Sequence, residues 1–384
     1  MTGRPARVLR LGSRRSLLAT TQAEGVARSL REAGHEVHLV GVTTEGDLRG
    51  GSGTESALGT GVFVSTLRAA LARGEIDLAV HSLKDVPVEG TTADTLATDS
   101  LATEVPTVIA AVPRREDPRD VLVARDGLTL GELPAGALIG TGSPRRAAQL
   151  AALGLGLAPG PVRGNVDTRL ALVTDGQVDA VVLARAGLAR LGRLEVVTET
   201  LDPIQVLPAA GQGALGVECR SDDVALRELL SGLDDPDSRA CVVAERAVLA
   251  GLQAGCSAPV GVLAEVVEGD DGPELSVRAV VAAPDGAETL RRSVVGPLGD
   301  PAGLGRRLAA LLLEDGAAEI ASLGRGYPGS APAAPIISGT TSASSTSART
   351  TPPSTTAGST TQHRLQHGIP QHQPAYANLP EATP

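Results

Sequence analysis

The first hundred residues alternate between short apolar runs and longer amphipathic segments, and this alternation restricts the fold more than any other sequence feature. Apolar runs of strand length cover residues 8–12, 37–42 and 76–81. The segments between them, 16–33 and 63–73, carry apolar residues at helical spacing. This β-α-β-α-β order predicts an α/β fold in which helices cover a mostly parallel sheet.

Two further blocks follow along the chain. The first repeats the alternation, with predicted strands at 107–112, 137–140 and 178–183 and predicted helices at 143–154, 165–175 and 184–191. In the second block, a helix, three strands and a last helix are predicted at 234–252, 260–267, 274–282, 288–294 and 304–313. Turn residues between these strands predict a small α+β domain with a three-stranded antiparallel sheet.

The charge balance and the composition exclude several classes of partner. The chain has 44 Asp and Glu against 34 Lys and Arg, whereas proteins that grip nucleic-acid phosphates are usually basic. Aromatic residues make up 1% of the chain, too few for base stacking. No apolar run has the length of a membrane span, and no signal-peptide core follows the N-terminal arginines. We therefore expect a soluble cytoplasmic protein that binds neither nucleic acid nor membranes.

The three cysteines differ in their sequence context. Cys219 lies in a strand-like run and Cys241 in a helical one, so both are expected in the core. Cys256 lies in a loop of small residues, which leaves its sulfur accessible as a nucleophile or attachment point. Because no C-x-x-C spacing occurs, we expect neither a disulfide framework nor a metal site.

Lys84 is the only lysine of the chain. It lies with Asp85 just after the strand predicted at 76–81, at the end where open parallel sheets bind their ligands. A carboxylate beside a cation can act as a general acid or base. The alternative interpretation is a surface Lys–Asp pair in an ordinary turn.

Two arginine clusters adjoin predicted helix N-termini in the second block. Ser143 is placed to cap one helix, with Arg145 and Arg146 in its first turn, where the helix dipole disfavours cations unless an anion lies nearby. The second cluster surrounds the start of the next helix and contains Arg163 and Arg169. Although arginines on helices are commonly just solvated, the two clusters together predict a site for a polycarboxylate or a phosphate.

The C-terminal stretch differs in composition from the rest of the chain. Residues 329–384 are dominated by Ser, Thr, Pro, Ala and Gln and contain three charged residues. Too few apolar side chains are present to offset the entropy of ordering. We therefore predict a disordered tail over 326–384.

Seven longer motifs occur in order along the chain. They begin at Leu11 (LGSRRS), His81 (HSLKDVP), Arg115 (REDPRD), Gly140 (GTGSPRR), Val162 (VRGNV), Leu207 (LPAAGQG) and Ala254 (AGCSAP). With these motifs the sequence resembles the porphobilinogen deaminase family, also called hydroxymethylbilane synthases, from about residue 8 to about residue 323.

The resemblance implies a transferase that joins four porphobilinogen molecules head to tail into hydroxymethylbilane and releases ammonia from each. It implies a dipyrromethane cofactor attached by a thioether to Cys256. The family's catalytic aspartate falls on Asp85, which would protonate the departing amine and then stabilise the cation left behind. The resemblance further implies a monomer whose product passes to uroporphyrinogen-III synthase.

The resemblance also assigns binding residues and domains. The implied cofactor contacts are Lys84, Ser82, Ser143, Arg145, Arg146 and Arg163, and the implied substrate contacts are Arg14, Ser16, Arg169 and Arg190. Two lobes similar to those of periplasmic binding proteins are implied, with a small third domain that carries the cofactor. The implied bounds are 6–104 with 206–226 for lobe 1, 105–205 for lobe 2 and 227–325 for the third domain.

One departure from the family pattern and one rival interpretation remain. Ser56 and Thr60 stand in a Gly-rich loop at 46–61, where several members of the family have lysines. The rival is a two-lobed anion-binding protein without catalytic activity. It would explain the arginines, but it would explain neither Asp85 at a strand end nor Cys256 in a third domain.

Overall fold

The chain forms three β-sheets in the part that the computed structural model describes, namely residues 8–42, 61–88, 96–98, 105–255 and 258–321. The strands are β1 (Val8–Ser13), β2 (Glu36–Gly41), β3 (Leu78–Ser82), β4 (Ala97–Thr98), β5 (Thr107–Ala111), β6 (Asp120–Ala124), β7 (Leu138–Gly140), β8 (Ala158–Gly160), β9 (Ala180–Ala184), β10 (Glu199–Thr200), β11 (Leu215–Arg220), β12 (Val260–Gly269), β13 (Gly272–Ala282) and β14 (Thr289–Pro297). The helices are α1 (Leu17–Glu32), α2 (Gly61–Ala72), α3 (Pro144–Ala152), α4 (Val166–Thr174), α5 (Arg185–Arg190), α6 (Val224–Leu230), α7 (Pro236–Gly251), α8 (Pro301–Glu314) and α9 (Ala317–Ile320).

Some predicted features lie outside the described residues. These are Ser56, Thr60, Cys256 and the predicted tail at 326–384. Within the described part, no helix has both the length and the apolar character needed to cross a membrane.

The first sheet is mixed, with the strand order β2-β1-β3-β11-β5-β4. β1 pairs in parallel with β2 and β3, whereas β11 runs antiparallel to both β3 and β5. The strands of the predicted β-α-β-α-β unit therefore pair in parallel as expected, whereas the pairings made by the later strands β4, β5 and β11 are antiparallel. A helical crossover sets the direction of β2 and β3, but β11 reaches the sheet after the chain has passed through the second sheet.

Helix α1 covers one face of this sheet with the residues that the helical spacing predicts. Ala23, Val26, Ala27 and Leu30 are buried against the strands in a common core. The hydroxyl of Ser16 accepts a hydrogen bond from the backbone N–H of the third helical residue at 3.4 Å, so the helix begins where the sequence predicts.

The second sheet has the order β10-β6-β9-β7-β8 and is also mixed. β7 pairs in parallel with β8 and β9, whereas β6 runs antiparallel to β9 and β10. All five residues of β6 are buried. The sequence patterns did not predict this strand, because its apolar run directly follows the charged segment 114–120. The first sheet and the second sheet, each with the helices packed on it, are here called the first and the second lobe.

The third sheet is the predicted antiparallel one, with the order β12-β13-β14. Its strands pair without a break from Val260 opposite Val281 to Gly269 opposite Gly272. Helices α7 and α8 pack on it, and their apolar residues share one core with the inner face of the sheet. This arrangement confirms the α+β type predicted for the last block.

Two segments, 112–119 and 201–214, connect the first two lobes and pack directly against each other. Gly213 has a φ of +86°, and an added Cβ would collide with the carbonyl oxygen of Glu116. A side chain is therefore excluded at this crossing. β5 belongs to the first sheet, although the expected boundary at residue 105 assigns it to the second lobe, so the chain crosses only after β5.

Glu245 of α7 joins both connecting segments to the third sheet. Its fully buried carboxylate accepts hydrogen bonds from Arg115 Nη1 at 2.7 Å and Nη2 at 3.0 Å. It also accepts from the backbone N–H groups of Gly211 at 2.6 Å and Ala264 at 2.8 Å. A buried carboxylate is tolerated only when its oxygens accept hydrogen bonds. Since the donors come from the two connecting segments and from β12, Glu245 links the lobes to the third sheet.

Candidate active site

The turn after β3 carries Lys84 and Asp85, as the sequence predicts. Residues Leu83–Asp85 form a single 3₁₀ turn, and Leu83 is buried beneath it. Two glycines make room for this leucine: a Cβ on Gly216 would lie 2.6 Å from Leu83 Cδ2, and one on Gly211 would lie 3.1 Å from its carbonyl carbon. With Leu83 locked into the core, Lys84 and Asp85 lie partly exposed at the carboxyl end of the strand.

Arg246 of α7 holds the same turn. Only 2% of this arginine is exposed, and its guanidinium donates to the carbonyl oxygens of Val86 and Pro87 at 2.9 Å each. A longer hydrogen bond of 3.4 Å reaches the carbonyl oxygen of Leu83. Helix α7 ends four residues before Gly255, so the helix that holds the turn also leads towards Cys256.

Arg145 and Arg146 lie buried in the first turn of α3 and contact Asp120 of β6. Arg145 Nη1 lies 2.8 Å from Asp120 Oδ2, and Arg146 donates to Oδ1 from Nε at 3.0 Å and from Nη2 at 2.7 Å. Gln212 Nε2 donates to the same Oδ1 at 2.8 Å. The anion that the helix dipole requires here is thus a carboxylate of the chain itself, where the sequence analysis inferred a ligand.

The buried cluster retains an excess of positive charge. Burial alone would raise the pKa of Asp120, but the charges of Arg145 and Arg146 hold it well below its ordinary range. One carboxylate therefore balances one of two guanidiniums. Among the described residues, Nε of Arg145 is buried without a hydrogen-bond partner. An anion with several carboxylates would find both charge and donors at this place.

Lys84 lies within the electrostatic reach of this cluster. Burial lowers the pKa of Lys84 to about 8; Asp85 opposes the shift, and the charge of Arg146 adds to it. Asp120 and Arg145 also act on the pKa of Lys84. The turn of the first lobe and the arginines of the second lobe therefore face each other.

A cavity lies between these groups, with about 630 Å³ of empty space when its open side is included. Its lining includes Lys84 from the first lobe, Ser143 and Arg145 from the second, and Gly255 and Ala258 from the loop after α7. The last two flank residues 256–257. The ammonium, hydroxyl and guanidinium groups around it suit carboxylates.

Two family models match the chain. The one described as "Porphobilinogen deaminase, dipyromethane cofactor binding domain" matches residues 9–228, and "Porphobilinogen deaminase, C-terminal domain" matches residues 239–314. A curated porphobilinogen deaminase from Nocardia farcinica is 59% identical over 324 residues, which cover 83% of this chain and 88% of the relative. Another from Mycobacterium avium is 55% identical over 326 residues, or 84% of this chain and 99% of the relative. The chain belongs to the porphobilinogen deaminase family.

Solved structures of much lower identity are similar to part of the chain. A methionine-binding lipoprotein from Bacillus subtilis is 13% identical with a TM-score of 0.36, over 59% of this chain and 89% of that chain. The L-cystine solute receptor of Neisseria gonorrhoeae is 13% identical with a TM-score of 0.34, over 60% of this chain and 86% of that chain. The family assignment rests on the family models and the relatives, and not on these structures.

The family assignment gives the activity of the chain. As a porphobilinogen deaminase, the chain is a transferase of tetrapyrrole biosynthesis that acts on porphobilinogen and binds a dipyrromethane cofactor. The rival interpretation, an anion-binding protein without catalytic activity, is not favoured. Cys256, to which the resemblance assigns the cofactor, lies outside the described residues, although both of its flanks line the cavity.

Two further arginines of the family pattern donate hydrogen bonds to backbone carbonyl groups. Arg169 donates from Nε to the carbonyl oxygen of Gly164 at 2.9 Å, and burial together with the charge of Arg146 lowers its pKa. Arg190 donates from Nη2 to the carbonyl oxygen of Gly213 at 2.6 Å. Arg190 therefore contacts a segment that connects the lobes.

The remaining residues of the pattern are not part of the cavity lining. Asp85 directly follows the lining residue Lys84 in the sequence, and Arg146 directly follows the lining residue Arg145. Ser82 begins the 82–85 turn without capping it through its hydroxyl, and Ser16 caps α1. The other two are Arg14, which is partly exposed, and Arg163, which is exposed.

Several residues that hold the deaminase site together were missed in the sequence analysis. Asp120 ends the motif that begins at Arg115, so a signal was present, but nothing local indicated that two arginines would pair with it. Glu245 and Arg246 lie within a helix, where charged residues are ordinarily solvated. Only the packing of α7 between other elements reveals their roles.

Because Lys84 is the only lysine, its titration can be followed alone. Its lowered pKa predicts that amine-directed modification of the cofactor-free enzyme rises with a midpoint near pH 8, where the ammonium loses its proton. Peptide mapping by mass spectrometry separates this site from the N-terminal amine. The unfolded chain is the control, and its modification should show the midpoint of an ordinary lysine, about pH 10.4. The same midpoint in the folded enzyme would contradict the prediction.

Proposed function

We propose that this deaminase joins four porphobilinogen molecules head to tail into hydroxymethylbilane, the reaction of a hydroxymethylbilane synthase, on a dipyrromethane attached to Cys256. The observation that carries the proposal is the shared cavity. Lys84 of the first lobe, Arg145 of the second and both flanks of Cys256 line it. A pyrrole chain anchored at Cys256 can therefore reach the cationic groups of both lobes.

The residues around the cavity fit a dipyrromethane. Its rings carry acetate and propionate groups, and the lining offers the ammonium of Lys84, the hydroxyl of Ser143 and the guanidinium of Arg145. The buried Nε of Arg145, which has no partner among the described residues, remains to be satisfied. Apolar side chains such as Val86, Val88, Leu249 and Val260 complete the lining and suit the pyrrole rings.

We assign the binding of the cofactor's carboxylates to Lys84, Ser82, Ser143, Arg145, Arg146 and Arg163. When bound, the cofactor supplies the pyrrole carbon to which the first substrate molecule is joined. We assign the substrate's carboxylates to Arg14, Ser16, Arg169 and Arg190. The excess positive charge of the cluster around Asp120 supports this assignment, since each added pyrrole brings two more carboxylates.

We assign the proton chemistry to Asp85. Its carboxyl group can donate a proton to the departing amine and then, as a carboxylate, stabilise the positive charge that remains on the substrate. Leu83, buried in the core, and Arg246, bonded to three carbonyl oxygens, keep this carboxyl group at the end of β3. A fixed position is what proton transfer needs, because misplacement of about 1 Å can cost a hundredfold in rate.

The domain division is part of the proposal. We propose a first lobe at 6–104 and 206–226, a second lobe at 105–205 and a cofactor-carrying domain at 227–325. The hydrophobic cores move these boundaries in three places: β5 and α6 pack in the core of the first lobe, and Val206 packs in that of the second. We further propose a cytoplasmic monomer that passes its product to uroporphyrinogen-III synthase.

Measurement of the intact mass tests the proposed function. The purified enzyme should be heavier than its sequence by two covalently bound pyrrole rings, and it should gain further rings when porphobilinogen is added. A mass equal to that of the bare chain, without consumption of porphobilinogen, would support the non-catalytic anion-binding alternative.

Arg163→Leu should weaken binding while the fold stays intact, because Arg163 is exposed. Loss of one charged pair costs roughly 2–5 kcal/mol when the pair is buried. We expect at most about 1 kcal/mol here, since solvent screens an exposed charge. Steady-state kinetics and thermal denaturation measure the two effects. Arg307→Leu, on the exposed face of α8, is the matched control and should change neither. Normal kinetics in a folded Arg163→Leu variant would remove Arg163 from the site.

A further inference from the structure

A buried cluster of polar side chains lies beside the strand that ends in the 82–85 turn, and no step of the proposed function uses it. Its centre is Glu218 of β11, whose side chain has no exposed surface. The carboxylate lies 2.7 Å from His81 Nε2 of β3. It also accepts hydrogen bonds from Arg68 Nε of α2 at 2.7 Å and from Thr107 Oγ1 of β5 at 2.6 Å.

The carboxylate of Glu218 is ionised at neutral pH. Burial alone would raise its pKa, but the contacts with His81, Arg68 and Thr107 together lower it to about 2. These three side chains come from the three elements packed against β11 at this point. An ionised group without access to water is costly, and apolar residues of the same volume would often serve stability equally well. Its presence therefore points to a role beyond stability.

The position of His81 indicates that role. His81 precedes Ser82, the last residue of β3, and the turn with Lys84 and Asp85 follows at once. In the sheet, His81 pairs with Gly216 and Ala79 pairs with Glu218, so the His81–Glu218 contact runs diagonally across neighbouring strands. Gly216 has no side chain that could hold His81 from its directly opposite position. The diagonal contact with Glu218 thus holds the ring of His81, in addition to the backbone pairing that holds the strand itself.

We propose that Glu218 is a positioning residue: through His81 it fixes the end of β3 and so directs the carboxyl group of Asp85 towards the substrate. The proposal rests on the catalytic role assigned to Asp85. It adds to the reaction a residue that touches neither substrate nor cofactor. Because Glu218 also bonds Arg68 and Thr107, which lead away from the turn, positioning and mere stabilisation can be separated by mutation.

The test compares Glu218→Gln, His81→Gln, the double variant and Thr107→Val in the cofactor-loaded enzyme. Thr107→Val is the matched control, because it removes one hydrogen bond from the same carboxylate and leaves His81 in contact. The measurements are the single-turnover rate of porphobilinogen addition, the thermal denaturation midpoint, the covalent mass of the cofactor and the NMR signal of the His81 ring N–H. The last three do not depend on activity.

We expect Glu218→Gln to slow the addition at least about tenfold, as misplacement of a reacting group does, while the covalent cofactor is retained. Thr107→Val should keep the rate within about twofold at a similar loss of thermal stability. The double variant should be no slower than the slower single variant, because both changes break the same contact. The ring N–H signal should persist in Thr107→Val and change in Glu218→Gln.

Two results would overturn the proposal. One is that Glu218→Gln and Thr107→Val lose the same amount of rate for the same loss of thermal stability. The other is a normal rate in His81→Gln. This variant leaves Glu218 bonded to Arg68 and Thr107, so it tests the proposal even if Glu218→Gln does not fold. A normal rate in Asp85→Asn would instead refute the proposed role of Asp85, and the NMR comparison would still report on the contact itself.

Discussion

Cys256→Ala should yield a folded protein without covalently bound pyrrole, because neither of the other two thiols can replace it. Cys219 and Cys241 are 0% and 7% exposed, and burial raises the pKa of each to about 12. Almost none of either thiol is therefore ionised at neutral pH, and the thiolate is the reactive form. The intact mass of the variant should equal that of its bare chain.

Asp85→Asn, in contrast, should retain the attachment and lose the chemistry. An amide can neither donate the proton that the departing amine needs nor supply a negative charge afterwards. Given a preassembled bilane, this variant should carry covalent pyrrole yet add porphobilinogen at least about a hundredfold more slowly. Quenched single-turnover experiments with mass detection measure both properties in one sample.

The two variants check each other. If Asp85→Asn elongates at close to the normal rate, the carboxyl group of Asp85 does not carry the proton, and the assignment is wrong. If Cys256→Ala still holds covalent pyrrole, the anchor is elsewhere in the chain. A melting temperature of Cys256→Ala close to that of the cofactor-free enzyme, and one of Asp85→Asn close to that of the loaded enzyme, would show that neither result comes from misfolding.

Asp120→Asn should cause the largest loss of stability among the site variants. It removes the carboxylate shared by Arg145 and Arg146, whose side chains are almost completely buried. Breaking a buried ion pair by removing one partner costs about 3–5 kcal/mol, since the remaining charges are left without compensation. Urea denaturation of cofactor-free protein measures this loss without a contribution from binding. Asp167→Asn is the matched control in the same lobe, and its exposed pair with Arg193 predicts a loss of at most about 1 kcal/mol.

The difference in stability between the wild type and Asp120→Asn should also depend on pH in a defined direction. The pKa of Asp120 in the folded state lies well below the value of about 3.9 that an unfolded aspartate has. Its contribution is therefore fully present above about pH 4 and is lost as the pH falls towards the folded-state pKa. The difference in unfolding free energy between the wild type and Asp120→Asn should narrow below about pH 4. A difference that stays constant down to about pH 2 would contradict the ionised pair.

Local patterns along the chain predicted most of the elements. α1 was predicted at 16–33 and spans Leu17–Glu32, and β5 was predicted at 107–112 and spans Thr107–Ala111. These predictions succeed because hydrophobic periodicity reports directly which face of an element is buried. The direction of β11 and the existence of β6 were not predicted, because both depend on how the chain crosses between the lobes.

For the candidate site, too, one part could be inferred from the sequence and another part could not. The positions of Lys84 and Asp85 after a strand, and of two arginine clusters at helix starts, could be inferred because each is a local arrangement. The anion beside Arg145 and Arg146 could not, since Asp120 meets them only through the pairing of β6 in the second sheet and the packing of α3. The sequence analysis inferred an anionic ligand beside these arginines, and the structure shows that the chain supplies one anion there itself.

The sequence by itself determined the family, the kind of chemistry and the residue types at the strand end, because motifs and periodicity are short-range properties. Only the tertiary structure decided which charges are buried and what they meet. Arg68 and Glu218 are 150 residues apart, Thr107 and Glu218 are 111 apart, and Arg115 and Glu245 are 130 apart. An acidic residue looks the same in a sequence whether it is solvated or buried. Its energetic weight depends on desolvation and on its partners, and both arise only when distant segments pack together.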